Sequence, residues 1–323
     1  VRVDHSLGYP AMLIESSATN TVPYSEEVSN PAWANNDVSF TDGQISPAGD
    51  NTATKLTATG ADPYLWAFPN VTAATHTFSF YCKGDTGRTA RVLIWYIGTA
   101  TGTTESVDFT YTGEWQRFEF QTTPTGGGTL AFRIDIPQDT AEVGDVVYIW
   151  GAQAEAGSVA TSYIPTSGSA VTRAADDLSI TGSAFSDFYN TSEGTIYVES
   201  VLGSVEASYL FDLTLEGSST ERILIHNSVS QQKVYIATSG SGASVDKAIG
   251  GRPAVGVLSR VAMSYETNNI EASIDGVSMA PDLTATISTT INKMTIGSRY
   301  SNSEHFNGHI KRVLFWPTHS DSL

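Results

Sequence analysis

Hydrophobic residues in this chain alternate with polar ones over short segments and rarely recur at helical spacing. The segments are rich in β-branched and aromatic residues and end at Gly, Asn, Asp, Ser or Pro, a pattern typical of all-β sandwiches. Phe78, Phe80 and Cys82, for example, fall on one face of a predicted strand. In the first half, strands are predicted over 53–59, 64–69, 76–83, 90–97, 104–111, 115–121, 128–136 and 146–152. In the second half they are predicted over 194–201, 208–215, 221–227, 232–238, 255–265, 268–275, 292–298 and 305–317.

A hairpin is predicted between Tyr265 and Ile270, because a short polar stretch separates two alternating runs there. One face of this hairpin should carry Val261, Met263, Tyr265, Ile270, Ala272 and Ile274. Asp275-Gly276 then predicts the next tight turn, since both residue types tolerate positive φ.

Composition divides the chain into two sandwiches. A Ser-, Thr- and Ala-rich stretch that contains Gly168 predicts a linker over 166–178. It separates a first domain at 22–165 from a second at 179–323. Residues 1–21 are expected to form an attachment arm, because the apolar stretch within it has no domain of its own to bury it. The predicted fold class is therefore all-β: two consecutive antiparallel β-sandwich (jelly-roll) domains with a short N-terminal arm.

Charge and cysteine content exclude several classes of function. The chain has 17 basic against 34 acidic side chains and a net charge of −17, without any basic cluster, so nucleic-acid binding is not expected. No apolar run approaches the roughly 20 residues of a membrane helix, so no membrane insertion is expected. Cys82 is the single cysteine, which excludes an intrachain disulfide and predicts a small buried side chain.

The sequence does not predict an enzyme. A jelly-roll glycoside hydrolase needs two carboxylates across a groove. Asp212 and Glu216 are the nearest such pair, and one pair among 34 acidic residues is expected by chance. Motifs for nucleotide binding, serine hydrolysis or zinc proteolysis are missing from the sequence.

Four segments of the first half resemble a family of tailed-phage virion proteins that includes tail fibres, head fibres and structural proteins. They read MLIESSATN (12–20), YSEEVSNPAW (24–33), VYIWGAQAEAG (147–157) and ATSYIPTSGSAVTRAAD (160–176). The segment GEWQRFEF (113–120) is similar to a late strand of carbohydrate-binding-module jelly rolls.

The second half resembles a laminin-G or concanavalin A-like lectin domain. The similar segments read GTIYVES (194–200), SRVAMSYETNNIEASIDG (259–276), MTIGSR (294–299) and FNGHIKRVLFW (306–316). These motifs are structural, and a shared fold alone does not establish a function.

Together the resemblances imply a non-enzymatic phage fibre or spike that contacts host surface polysaccharide. Such a subunit would be made in the host cytoplasm and displayed on the virion surface. It would form a homotrimer or another homo-oligomer, and the arm would bind other virion proteins. Two alternatives stay open: a capsid or tail decoration protein (head fibre) without a specific glycan ligand, and a jelly-roll polysaccharide depolymerase.

Sugar rings stack on flat aromatic faces, and polar side chains satisfy their hydroxyl groups. The candidate sugar-binding residues are Tyr64, Trp66, Trp95, Arg117 and Arg133 in the first domain and His226, Tyr235, Arg299 and Tyr300 in the second. Tyr64 and Trp66 share a strand face, and Arg117 and Arg133 are expected on neighbouring strands. Burial in the core is the alternative for each tryptophan.

No cofactor is expected, with a structural Ca²⁺ as the alternative. Calcium binds loop carboxylates and backbone carbonyls, and both sandwich types often hold it. The candidate ligands are Glu26, Glu27, Asp42 and Asp50.

Overall fold

The computed structural model describes residues 2–98, 100–102, 104–136, 141–238, 242–321 and 323. Strands dominate these residues. The strands up to residue 173 are β1 (Arg2–Asp4), β2 (Ala11–Ile14), β3 (Ala18–Asn20), β4 (Ala34–Asn36), β5 (Val38–Gln44), β6 (Ala53–Ala58), β7 (Tyr64–Ala67), β8 (Asn70–Val71), β9 (His76–Gly84), β10 (Thr89–Ile97), β11 (Glu105–Thr110), β12 (Gln116–Thr122), β13 (Gly128–Asp135), β14 (Val146–Ala156) and β15 (Val171–Arg173).

The remaining elements include one short helix, α1 (Ser183–Ser186). The remaining strands are β16 (Ser179–Thr181), β17 (Glu193–Leu202), β18 (Ser208–Thr214), β19 (Arg222–Asn227), β20 (Gln231–Thr238), β21 (Gly242–Gly251), β22 (Leu258–Glu266), β23 (Asn269–Ile274), β24 (Val277–Ser278), β25 (Lys293–Ile296) and β26 (Gly308–Trp316). The described strand pairs are antiparallel throughout, which confirms the predicted all-β sandwich class.

Residues Ala18–Arg173 form one compact unit, which we call the first sandwich. One of its main sheets has the order β11-β10-β13-β7-β4, with β8 also paired to β13, and the other has the order β12-β9-β14-β6-β5. The predicted inward faces are confirmed: Phe78 and Phe80 on β9 and Phe132 on β13 are buried in one hydrophobic core. Cys82 is buried in the same core, and burial raises the pKa of its thiol to about 12.

Val1–Ser17 and Ala174–Leu323 form the second compact unit, the second sandwich. Its two sheets have the orders β1-β2-β26-β17-β22-β23-β24 and β16-β25-β18-β19-β20-β21. Their inner faces supply a second core that includes Phe211, Met263 and Ile310.

The first residues are not the separate arm that the sequence suggested. Strand β2 pairs with β26, where Met12 lies opposite Ile310, and Ile14 is 1 % exposed in the second core. Residues 18–20 belong instead to the first sandwich, because β3 pairs with β15. The predicted linker therefore contains a strand. Both differences arise because these short strands pair with partners far away in sequence, which local composition does not report.

The predicted hairpin at Tyr265–Ile270 is confirmed, with Met263 opposite Ala272 across it. The following turn is also as predicted: Asp275 and Gly276 have φ of 50° and 82°, the left-handed values that a two-residue hairpin turn requires. Strand β21 was not predicted from the sequence, because Gly and Ser are frequent around its start.

Candidate functional site

The outer face of β7, β10 and β13 in the first sandwich carries a cluster of aromatic rings. We call Tyr64, Trp66, Phe68, Trp95 and Arg133 the aromatic face. The centre of the Trp66 ring lies 4.7 Å from that of Trp95, in a stacked arrangement, and 6.1 Å from that of Phe68. Tyr64 meets Trp66 edge-on at 6.0 Å. Three of the predicted sugar-binding aromatics are therefore brought together on one surface.

Strand alternation explains why these rings point outward. Leu65 and Ala67 on β7 are buried in the core, so Tyr64, Trp66 and the following Phe68 project from the other face. Phe68 is 39 % exposed and was missed from the sequence, although its i+2 spacing from Trp66 could have identified it.

A small residue allows two rings from different strands to meet. Strand β13 lies between β7 and β10, and Ala131 on β13 is the register partner of Trp95. Because Ala131 has no bulk beyond Cβ, Trp95 and Trp66 can stack across the strand that separates them.

Arg133 holds the aromatic face together electrostatically. Its guanidinium carbon lies 3.8 Å from the centre of the Tyr64 ring, a cation–π distance. The same guanidinium donates to Asp62 at 2.8 Å and to Asp135. Burial raises the pKa of Asp135, and the hydrogen bond from Arg133 opposes that rise.

Arg117 does not join this face, which corrects the expectation that it neighbours Arg133. Strand β12 pairs with β9 in the other sheet of the first sandwich, so the two arginines lie on different sheets. The Arg117 guanidinium donates to Ser79 at 2.9 Å and to the Thr161 carbonyl at 2.7 Å. Arg117 therefore has a structural role: it connects the loop that contains Thr161 to the sheet.

A second polar cluster lies on the outer face of the six-stranded sheet of the second sandwich. Asp212 on β18 is fully buried and accepts hydrogen bonds from Arg222 Nε at 3.1 Å and from the Tyr300 backbone N–H at 2.9 Å. The Arg222 guanidinium also lies 4.8 Å from the Tyr300 ring centre and 5.4 Å from that of Tyr209. Tyr300 was predicted from the sequence as a sugar-binding residue and Asp212 was considered only as half of a carboxylate pair, whereas Arg222 and Tyr209 were not predicted.

The other candidates of the second domain surround this cluster. His226 stacks on Tyr209 with ring centres 5.4 Å apart, and burial lowers the pKa of the imidazole. Tyr235 is half-buried on the same face, opposite Leu224. Arg299 pairs with Glu304 at 3.0 Å. His226, Arg299 and Tyr300 therefore converge, whereas Tyr235 shares only the sheet face, and the Arg222 and Arg299 cations of this surface are paired with carboxylates.

The four calcium candidates do not form an evident site. Asp42 accepts hydrogen bonds from Ser29 and Thr54, and Asp50 accepts from Ser46 and Thr52. Burial raises the pKa of Glu26. Across the described residues, no group of three or more His, Cys, Asp or Glu side chains is arranged to hold a metal ion.

Asp212 and Glu216 have different surroundings. Both Asp212 oxygens accept hydrogen bonds, as described above. Glu216 lies beyond the end of β18 and lines a cavity of about 320 Å³ with Phe185 and Tyr189.

A larger groove, which sequence analysis missed, runs along the outer face of the seven-stranded sheet. Its volume is about 550 Å³, and Tyr197, Trp316 and His319 are among its lining residues. Trp316 is 46 % exposed there, and Thr195 on β17 holds the adjacent tail by donating to the Thr318 carbonyl at 2.8 Å.

Comparison with known families supports the lectin-like fold of the second half. Residues 174–320 match the model of the concanavalin A-like lectin/glucanases superfamily. This part of the chain is therefore similar to concanavalin A-like lectin and glucanase domains, in agreement with the resemblance of its motifs. No curated protein sequence matches the chain.

Several solved structures align with this chain at low identity. A mutant of the NanB sialidase from Streptococcus pneumoniae is 17 % identical over 45 % of this chain and 25 % of its own, with a TM-score of 0.36. The chain thus spans about a quarter of that sialidase. The CBM40 of a Ruminococcus gnavus sialidase, bound to α2,3 sialyllactose, is 15 % identical over 41 % of this chain and 79 % of its own, with a TM-score of 0.36. Domains LG4-5 of the mouse laminin α1 chain are 11 % identical over 94 % of this chain and 89 % of their own, with a TM-score of 0.32.

Hydropathy adds one further finding: within the described residues, no helix has the length and apolar character needed to cross a membrane.

Proposed function

We propose that this chain is a non-enzymatic, glycan-binding fibre or spike subunit of a tailed phage, and that the aromatic face is its sugar site. One observation carries the glycan-binding proposal. Tyr64, Trp66, Phe68 and Trp95 form a contiguous ring surface on the outside of a sheet, although aromatic side chains usually lie in a core.

The chemistry of this surface suits a saccharide. The C–H faces of a sugar ring pack against aromatic rings and desolvate them, while carboxylates accept hydrogen bonds from its hydroxyl groups. Asp62 and Asp135 lie beside the rings, held there by Arg133. Because both carboxylates are already oriented, the site loses little side-chain entropy when a sugar binds.

The phage assignment is supported by the segments that resemble virion proteins, above all those at 12–20 and 147–157. In this proposal the subunit is displayed on the virion surface as a homo-oligomer. Its partners are other virion proteins and host polysaccharide. Electron cryomicroscopy of the native particle tests this part, because it gives the position and stoichiometry of the subunit directly.

The sugar site is tested by glycan-array binding of the full chain and of Trp66→Ala. Trp115→Ala is the matched control, because Trp115 is also half-buried but contacts Tyr148, which lies on the other sheet. We expect Trp66→Ala to lose at least about tenfold in affinity, as for removal of an aromatic anchor. Trp115→Ala should bind like the parent chain. Equal binding by the parent chain and Trp66→Ala would show that the aromatic face is not the sugar-binding site.

Absence of catalysis is tested separately by incubating the chain with host polysaccharide and assaying new reducing ends. None are expected. If reducing ends appear and Asp212→Asn or Glu216→Gln stops their release, the chain is a depolymerase.

A further inference from the structure

We infer that the aromatic face selects uncharged or amino-substituted sugars and rejects glycans that carry carboxylate or sulfate groups. This inference rests on the proposed function and names the ligand class of the same site. The arrangement of charges around the rings carries it.

Arg133 of the aromatic face and Arg91, on the same outer surface of the sheet, are already engaged by carboxylates. Arg133 donates to Asp62 at 2.8 Å and to Asp135. Arg91, on the neighbouring strand β10, forms a two-point pair with Asp108 at 2.7 and 3.2 Å. The two-point contact uses the planar fork that would otherwise recognise the carboxylate or sulfate of a ligand.

The pairs form a row across the sheet. Tyr64 on β7 is the register partner of Asp135 on β13, which is the partner of Arg91 on β10, which in turn is the partner of Asp108 on β11. With Arg133 and Asp62, this surface of the sheet therefore carries three carboxylates and two guanidinium groups beside the rings, so that these acids outnumber these bases.

A further carboxylate, next to the start of β7, adds to the excess of negative charge. Asp37 accepts a hydrogen bond from the Asp62 backbone N–H at 3.1 Å. Asp62 itself is a surface group, with its side chain 65 % exposed. A ligand that approaches the rings over the start of β7, at Tyr64, therefore meets negative charge first.

The first sandwich as a whole also carries a net negative charge. Residues 18–173 contain 16 acidic and 7 basic side chains. An anionic glycan is thus repelled at long range, and the guanidinium groups of Arg133 and Arg91 are already paired with carboxylates. A neutral sugar avoids the repulsion, and an amino sugar gains an attraction to the outer carboxylates.

The test measures binding of the full chain to an array of matched oligosaccharides. Each neutral oligosaccharide has an amino-sugar, uronic acid, sialylated and sulfated counterpart. The chain is compared with Asp62→Asn/Asp108→Asn, which removes two exposed charges from the face. Glu114→Gln/Glu119→Gln makes the same change in charge at exposed positions at and just before β12, in the other sheet. Trp66→Ala reports whether the binding uses the aromatic face.

We expect the chain to bind neutral or amino sugars in a way that depends on Trp66. Its affinity for the anionic counterparts should be lower by on the order of tenfold or more. The Asp62→Asn/Asp108→Asn variant should reduce the ratio of neutral to anionic affinity at least about threefold. The control pair Glu114→Gln/Glu119→Gln should leave that ratio unchanged. Binding that depends on Trp66 but prefers an anionic counterpart overturns this inference and leaves the sugar site in place. Binding that does not depend on Trp66, or no binding to any glycan, overturns the proposed site and this inference together.

Discussion

The guanidinium of Arg133 lies 3.8 Å from the centre of the Tyr64 ring and is held there by a 2.8 Å hydrogen bond to Asp62. A cation fixed between a ring and carboxylates restrains all of these groups. The ring surface beside it is consequently formed before any ligand arrives, which lowers the entropy cost of binding.

Replacing Arg133 should therefore weaken sugar binding without removing an aromatic ring. We expect Arg133→Ala to lower affinity for the array-selected glycan about tenfold, since a partly desolvated cation–π contact contributes roughly 1–2 kcal/mol. Isothermal titration calorimetry measures the change. Arg91→Ala is the control, because Arg91 lies on the same face and pairs with Asp108 instead. Equal losses in both variants would show that charge, and not the contact with Tyr64, is responsible.

The first residues should be an integral part of the second sandwich. Ile14 is buried in its core, so Ile14→Ala should lower the free energy of unfolding of that sandwich by about 2–5 kcal/mol. Val3 is 65 % exposed and provides the control. Val3→Ala should change the free energy of unfolding of the second sandwich by less than about 0.5 kcal/mol.

Urea unfolding followed by near-ultraviolet circular dichroism measures both variants, with separate transitions fitted for the two sandwiches. If Ile14→Ala unfolded at the same urea concentration as Val3→Ala, β2 would not contribute to the core in solution.

His226 should make the second sandwich less stable in acid. Burial lowers its pKa below the ordinary value of 6.5, with Asp246 opposing the shift. The unfolded chain then binds this proton at a higher pH than the folded chain does. Stability is therefore fully present above pH 6.5 and falls as the pH drops from there toward the folded-state pKa.

Titration of the His226 ring by NMR should give a midpoint below 6.5. The urea midpoint of the second sandwich should fall less between about pH 7 and pH 5 in His226→Asn than in the parent, since the variant has no such proton. A ring midpoint above 6.5, or identical pH dependence in both chains, would contradict the prediction.

Alternation along single strands was enough to predict much of the sandwich cores and part of the aromatic face. From spacing alone, Phe78, Phe80 and Cys82 were assigned to one face of a strand, and Tyr64 and Trp66 to a shared face of another. This works because successive side chains of a strand point to opposite faces, so the pattern of a few residues already distinguishes the two sides.

The sequence by itself thus determined the all-β class and which side chains share one face of a strand. Only the tertiary structure decided which strands become neighbours. It placed Arg133 beside Tyr64 and Arg117 on another sheet, and it placed Ala11–Ile14 against β26. The physical reason is that the period-two pattern is local, whereas strand order depends on pairings between residues far apart in the chain.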